Sequence, residues 1–144
     1  MQVKFESVKT KEEEEALIRA VEKTEAVQGA IELLSGGTTS LAVSLNGKTC
    51  FVDKRAIYYI ESVDKKTFVY TRDNCYETKY RLYELEEMLG GYFARCSKAL
   101  IVNLRKVKKV ASQLGGRMDA ILLNEETIVI SRAYVKDIKR RLDI

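Results

Sequence analysis

The sequence predicts a mostly β chain of the α+β class, and three observations carry that expectation. Apolar side chains recur at every second position in a series of short runs between residues 40 and 130, the period of a strand with one buried face. Turn signals part the runs. The strongest is Asn46-Gly47 between Leu41, Val43, Leu45 and Thr49, Phe51, because a two-residue hairpin turn needs positive φ at its centre. Helical spacing is confined to three stretches, near 24–34, 82–89 and 132–142.

In chain order, residues 2–9 alternate through Val3 and Phe5 and read as a short strand. The acidic run from Glu12 to Glu15 turns into a second strand at 16–21. Val27, Ile31 and Leu34 share a helix face, and Ser35-Gly36-Gly37 would end that helix by supplying left-handed positions. Residues 1–38 are thus expected to form a small strand–strand–helix subdomain and 39–144 a separate domain. The run Gly36-Gly37-Thr38-Thr39-Ser40 lacks the lysine and following helix of a nucleotide phosphate loop and reads as a linker. Beyond the 41–53 hairpin, Asp53-Lys54-Arg55 forms one helical turn. Strands at 57–62 and 68–71 flank the turn Asp64-Lys65-Lys66, and another covers 75–80. Leu82, Leu85, Met88 and Leu89 line one helix face opposite Glu84, Glu86 and Glu87, and Gly90-Gly91 stops the helix. Strands at 109–113 and 120–123 flank Gly115-Gly116, and the last strand, 127–130, follows Asn124-Glu125-Glu126. Ser131 caps a final helix with Val135, Ile138 and Leu142 inward and Lys136, Lys139, Arg140 and Arg141 outward.

Composition excludes several chemistries. The 144 residues are 46% apolar and 32% charged, an ordinary globular balance. Histidine is absent, which removes imidazole bases and histidine metal ligands together. The three cysteines, Cys50, Cys75 and Cys96, lack C-x-x-C spacing, so neither a disulfide framework nor a thiolate metal site is expected, and a reducing cytoplasm is the expected setting. No apolar run is long enough to span a bilayer and no secretory signal opens the chain. No nucleophile–base pair or carboxylate cluster at ligand spacing stands out. An enzyme, a metal, a cofactor and a small-molecule substrate are therefore not expected.

Charge is polarised. Residues 95–144 hold 12 Lys and Arg against 5 Asp and Glu, whereas residues 1–40 hold 5 against 8. A clustered positive field attracts polyanions even when the net charge is only +4. The stretch 92–110 interleaves six cations and no acid with apolar residues, a pattern that both packs and presents charge.

Five short patterns then follow one another in register: Ile57-Tyr58-Tyr59-Ile60-Glu61-Ser62 with Asp64-Lys65-Lys66; Arg81-Leu82-Tyr83-Glu84-Leu85-Glu86 with Leu89; Phe93-Ala94-Arg95-Cys96; Ile101-Val102-Asn103-Leu104; and Ile130-Ser131-Arg132-Ala133-Tyr134-Val135-Lys136. Their succession resembles the LytTR family, the DNA-binding domain of bacterial LytR/AgrA-type transcription regulators, over about residues 40–144. The resemblance implies short antiparallel sheets with small helices and no helix-turn-helix. It implies a transcription regulator whose loops enter successive major grooves of double-stranded promoter DNA at direct repeats, as a homodimer at least on DNA. Carried over by position, Lys98 and Arg132 stand where the family places base contacts. Thr67 is expected as a third base contact, near a position where some members use a larger base-reading side chain. Lys65, Lys66, Arg95, Ser97, Ser131 and Lys136 are expected on phosphates, and Asn103 is expected to hold a turn.

The chain departs from the family at Ser97-Lys98-Ala99, where a histidine, a polar residue and a serine are frequent, so its operator is not transferable from relatives. Residues 1–38 are too short for a receiver domain, and the organisation resembles stand-alone regulators that a small membrane protein restrains. Two alternatives stay open on residues alone. One is a protein-interaction module acting through the acidic N-terminal part. The other is RNA binding through Tyr58, Tyr59, Phe68 and Tyr70 as stacking platforms.

Overall fold

A computed structural model describes residues 1–34 and 40–144. The chain divides into two compact units, Met1–Gly37 and Thr38–Ile144.

In the first unit a single 3-10 turn, Lys11–Glu13, precedes helix α1, Glu25–Leu34. The Thr24 hydroxyl accepts from the Val27 amide at 3.3 Å and so caps α1. The strands expected at 2–9 and 16–21 do not form: no described residue before Ser40 joins a ladder. Alternation makes a strand only where another strand satisfies its amides and carbonyls, and this unit supplies none. Phe5 is 94% exposed and Val3 88%, and Val27 is the one buried residue among residues 1–34. The expected glycine stop of α1 and the 36–39 part of the expected linker run lie outside the described residues, and Ser40 already opens β1.

The second unit is mostly antiparallel β. Its seven-stranded sheet runs in the order β2-β1-β5-β4-β3-β7-β6, and a three-stranded sheet runs β10-β9-β8. The strands are β1 (Ser40–Leu45), β2 (Lys48–Asp53), β3 (Tyr59–Val63), β4 (Lys66–Tyr70), β5 (Cys75–Thr78), β6 (Phe93–Ser97), β7 (Leu100–Asn103), β8 (Val107–Ser112), β9 (Met118–Leu122) and β10 (Thr127–Ile130). Helix α2 spans Leu82–Leu89 and α3 spans Arg132–Leu142. The β1–β2 hairpin closes on Asn46 and Gly47 at φ 52° and 76°. Asp53 then starts the expected helical turn, its carboxylate accepting from the Arg55 amide at 2.8 Å.

Two cores share one wall. Leu82, Leu85 and Leu89 of α2 pack with Leu41, Val43, Ile60, Val69 and Ile101 on one face of the large sheet. On the other side, Ala94, Cys96 and Val102 pack with Met118, Ala120, Leu122, Ile130 of the small sheet and Ile138 of α3. Successive residues of β7 therefore serve different cores, and Ile101 and Val102 are both fully buried. Burial pushes the Cys96 thiol up to about 12, which leaves it an uncharged core residue. Of the inward face expected for α3, Ile138 is buried while Val135 and Leu142 are partly covered against the same core.

Asn103 locks β7 in place. Its Nδ2 donates to the Ile57 carbonyl at 2.7 Å, its Oδ1 accepts from the Arg105 amide at 3.0 Å, and its own amide donates to the Tyr58 carbonyl at 2.9 Å. Asn103 is 1% exposed and Ile57 fully buried, so truncation takes a buried carbonyl's side-chain donor away and removes the bond that starts the turn at Arg105. Asn103→Ala is expected to lower unfolding free energy by about 2–4 kcal/mol. Urea denaturation checks it, with an unchanged midpoint as the contrary result.

Candidate nucleic-acid interface

Two tight turns lie at the same end of the large sheet. Asp64 and Lys65 join β3 to β4, and Lys98 and Ala99 join β6 to β7. Because β3 and β7 are neighbours, the Ser62 amide reaches the Ala99 carbonyl at 2.8 Å and ties the first hairpin to the second turn. The third segment arrives from the small sheet: the Ser131 amide donates to the Cys96 carbonyl at 2.8 Å as the chain leaves β10 for α3. Elements far apart in sequence thus bring Lys65, Lys98 and Arg132, all exposed, to neighbouring parts of one surface.

Each turn is built to aim a side chain. Asp64 and Lys65 hold φ 52° and 65°, the left-handed pair that a two-residue hairpin requires. Neither is glycine, and a lysine there costs of order 1 kcal/mol. The second hairpin carries a bulge between Arg95 and Ser97, which twists the strand end and redirects the turn beyond it. The Ser97 hydroxyl accepts from the Ala99 amide at 3.2 Å, bracing the turn from within. Ser131 stands at the N-cap of α3, yet among the described residues its side chain makes no capping bond, contrary to the expected cap. Its hydroxyl sits at the positive end of the helix dipole, where phosphate is favoured. Arg132 and Lys136 follow four residues apart on one helix face, both exposed. The stem of Arg132 lies over Gly116, where an added Cβ would stand 2.9 Å from its Cγ and Cδ. Gly115 and Gly116 both take φ 79°, so the expected glycine turn also clears space for this arginine.

Two expected contacts change character. Thr67 is 3% exposed and pairs across β5 with Thr78, which is also buried. Strand alternation puts Lys66 outward and Thr67 inward, so Thr67 is a packing residue and has no surface to offer a base. Arg95 is occupied: its Nε donates to Glu86 Oε1 at 2.9 Å and its Nη1 to the Lys98 carbonyl at 2.6 Å. Sequence reasoning missed this role, although Glu86 stands on the predicted helix and the opposite charges were legible.

Other cations of the 92–110 stretch are engaged within the protein. Arg105 lies 4.4 Å from the Tyr92 ring centroid, Lys106 lies 5.1 Å from that of Tyr58, and Lys108 pairs with Glu125. The aromatic platform weighed for RNA is spent likewise. Tyr58 is buried, and Tyr59 and Tyr70 stack on each other at 4.4 Å with 14° between planes. Among the described residues, no group of three or more cysteine and acidic side chains is placed to hold a metal ion, and no helix is long and apolar enough to cross a membrane.

A β domain that presents exposed lysines on hairpin turns and an exposed arginine at a helix start offers positive charge to a polyanion. Residues 47–143 match the model of the LytTr DNA-binding domain, and the chain belongs to that family. It is similar to the solved LytTr DNA-binding domain of a Bacillus cereus protein described as a putative methyl-accepting/DNA response regulator. That match has a TM-score of 0.71 and 25% identity, and it covers 75% of this chain and 100% of the other. An uncharacterized HTH-type transcriptional regulator of Staphylococcus aureus (strain bovine RF122 / ET3-1) is 37% identical over 82 residues, 57% of this chain and 56% of the relative. Its counterpart in strain NCTC 8325 is 35% identical over the same shares. The chain thus spans about half the length of these relatives. Although those relatives are called HTH-type, the three α-helices among the described residues are each separated from the next by strands rather than by a short turn. The domain is a DNA-binding one and not a catalytic one.

The strained turn yields a prediction with two opposite signs. Lys65→Gly is expected to raise stability by about 0.5–1 kcal/mol, since glycine takes positive φ without a Cβ clash. The same change should weaken duplex binding and reduce the slope of log K against log salt by about 0.9. Thermal denaturation and a salt titration read the two effects.

Proposed function

We propose that this chain is a sequence-specific transcription regulator that reads successive major grooves of promoter DNA at direct repeats. The observation that carries the reading is the meeting of the Lys65, Lys98 and Arg132 segments, joined by the Ser62–Ala99 and Ser131–Cys96 backbone hydrogen bonds. Lys98 and Arg132 read base edges, Arg132 through the planar fork that matches guanine O6 and N7. Lys65, Lys66, Ser97, Ser131 and Lys136 hold phosphates, which sets register and affinity without reading sequence.

Direct repeats suit two copies on one face of the duplex, each seating a domain about one helical turn, roughly 10 base pairs, from the other. The N-terminal unit supports a role in assembly. Phe5, Val21, Leu17 and Leu33 are all more than half exposed, and a second copy or a small membrane protein acting as inhibitor would cover them.

Two experiments test this reading. Lys98→Ala with Arg132→Ala should cut specific promoter binding by about 2–5 kcal/mol at fixed salt, while non-specific binding weakens far less. Unchanged footprints on DNA upstream of its own coding sequence would remove both residues from the base-reading set. Deleting residues 1–38 should abolish self-association in analytical ultracentrifugation and leave binding to a single half-site measurable. Persistent dimers would place assembly in the β domain instead.

A further inference from the structure

Both DNA-facing hairpin turns are gripped from behind in the same way. Arg81 Nη1 donates to the Lys65 carbonyl at 2.9 Å, and Arg95 Nη1 donates to the Lys98 carbonyl at 2.6 Å. Both arginines answer to α2. Arg81 is its N-cap residue, with its amide donating to Glu84 Oε1 at 3.2 Å, and Arg95 is held by Glu86 on the same helix. The helix itself is fixed to the large sheet by Leu82, Leu85 and Leu89, each under a tenth exposed. A guanidinium bonded to a turn carbonyl restricts the peptide plane, and with it the direction in which that residue's side chain leaves the backbone. The turns need such restraint: one stores left-handed strain at Lys65 and the other follows a bulge.

We infer that α2 is a brace that fixes the aim and spacing of the two turns, with Arg81, Glu86 and Arg95 as positioning residues rather than DNA contacts. The inference rests on reading Lys65 and Lys98 as DNA-facing. It also accounts for two arginines beside the proposed DNA surface that each donate to a turn carbonyl of the protein itself. Rigid placement matters because a specific complex requires several contacts to be met at once, whereas non-specific binding tolerates misaligned turns.

The test compares Arg81→Ala, Glu86→Ala and Glu86→Gln in the full chain, using a duplex selected by the unmodified protein from a random library and poly(dI-dC) as the non-specific duplex. Specific binding should weaken about fivefold in each alanine variant, with non-specific binding and the salt slope unchanged, because no phosphate contact is lost. Glu86→Gln keeps an acceptor for Arg95 and should recover most of the loss. In protein without DNA, amide exchange should quicken at Ser62 and Ala99 in Glu86→Ala and at Lys66 in Arg81→Ala, with the thermal midpoint little moved. A salt slope lower by about 0.9 in Arg81→Ala would make that arginine a phosphate contact and overturn the brace. Unchanged exchange at those amides overturns it whatever the DNA result. If exchange quickens while Lys65→Ala and Lys98→Ala bind the selected duplex normally, the brace stands and the assignment of the DNA-facing residues falls.

Discussion

The domain depends on the burial of β7 between two cores. Ile101 faces the core beneath α2 and Val102 faces the core shared with the small sheet and α3, and neither retains any exposure. A strand covered on both sides cannot slip, because a shift by one residue would exchange the two faces and unpack both cores at once. Asn103 closes the far end of this strand with three hydrogen bonds to flanking backbone. Only the near end is free to project, as the turn carrying Lys98. A strand buried on both faces is therefore preceded by the turn that exposes Lys98.

The neighbouring elements take their positions from that strand. β3 pairs with β7, and through it the Asp64-Lys65 turn is set beside the Lys98-Ala99 turn. The small sheet packs on Val102 and Cys96, and the start of α3 hangs from the Cys96 carbonyl. α2 closes the opposite core, and its Glu84 and Glu86 accept from Arg81 and Arg95, which in turn donate to the Lys65 and Lys98 carbonyls of the two turns. On the proposed reading, affinity and specificity have different structural sources: exposed lysines would supply the salt-dependent attraction, and the buried groups behind the turns the geometry.

Strain and charge are distributed in keeping with that division. Lys65 holds a backbone conformation that glycine would adopt at lower cost, and the position keeps its cation instead. Cations that do not serve the surface are consumed locally, Lys106 on Tyr58, Arg105 on Tyr92 and Lys108 on Glu125. These cations keep their charge but are held against the protein's own side chains.

Local pattern alone determined much of the architecture. The Asn46-Gly47 hairpin, the Leu82/Leu85/Leu89 stripe and the helix after Ser131 are short-range features, set by turn conformation and side-chain periodicity. The ordered motifs also pointed to the family. Tertiary structure decided what pattern cannot encode. The alternating segment at 2–9 made no strand, because pairing needs a partner strand. Thr67 turned inward, because the phase of β4 is set by Val69, which packs in the core beneath α2. Arg95 became a brace, because a charge's role depends on whether an acid such as Glu86 comes within reach across the fold. Residues along the chain specified which groups could bind DNA; only packing specified which of them face outward together.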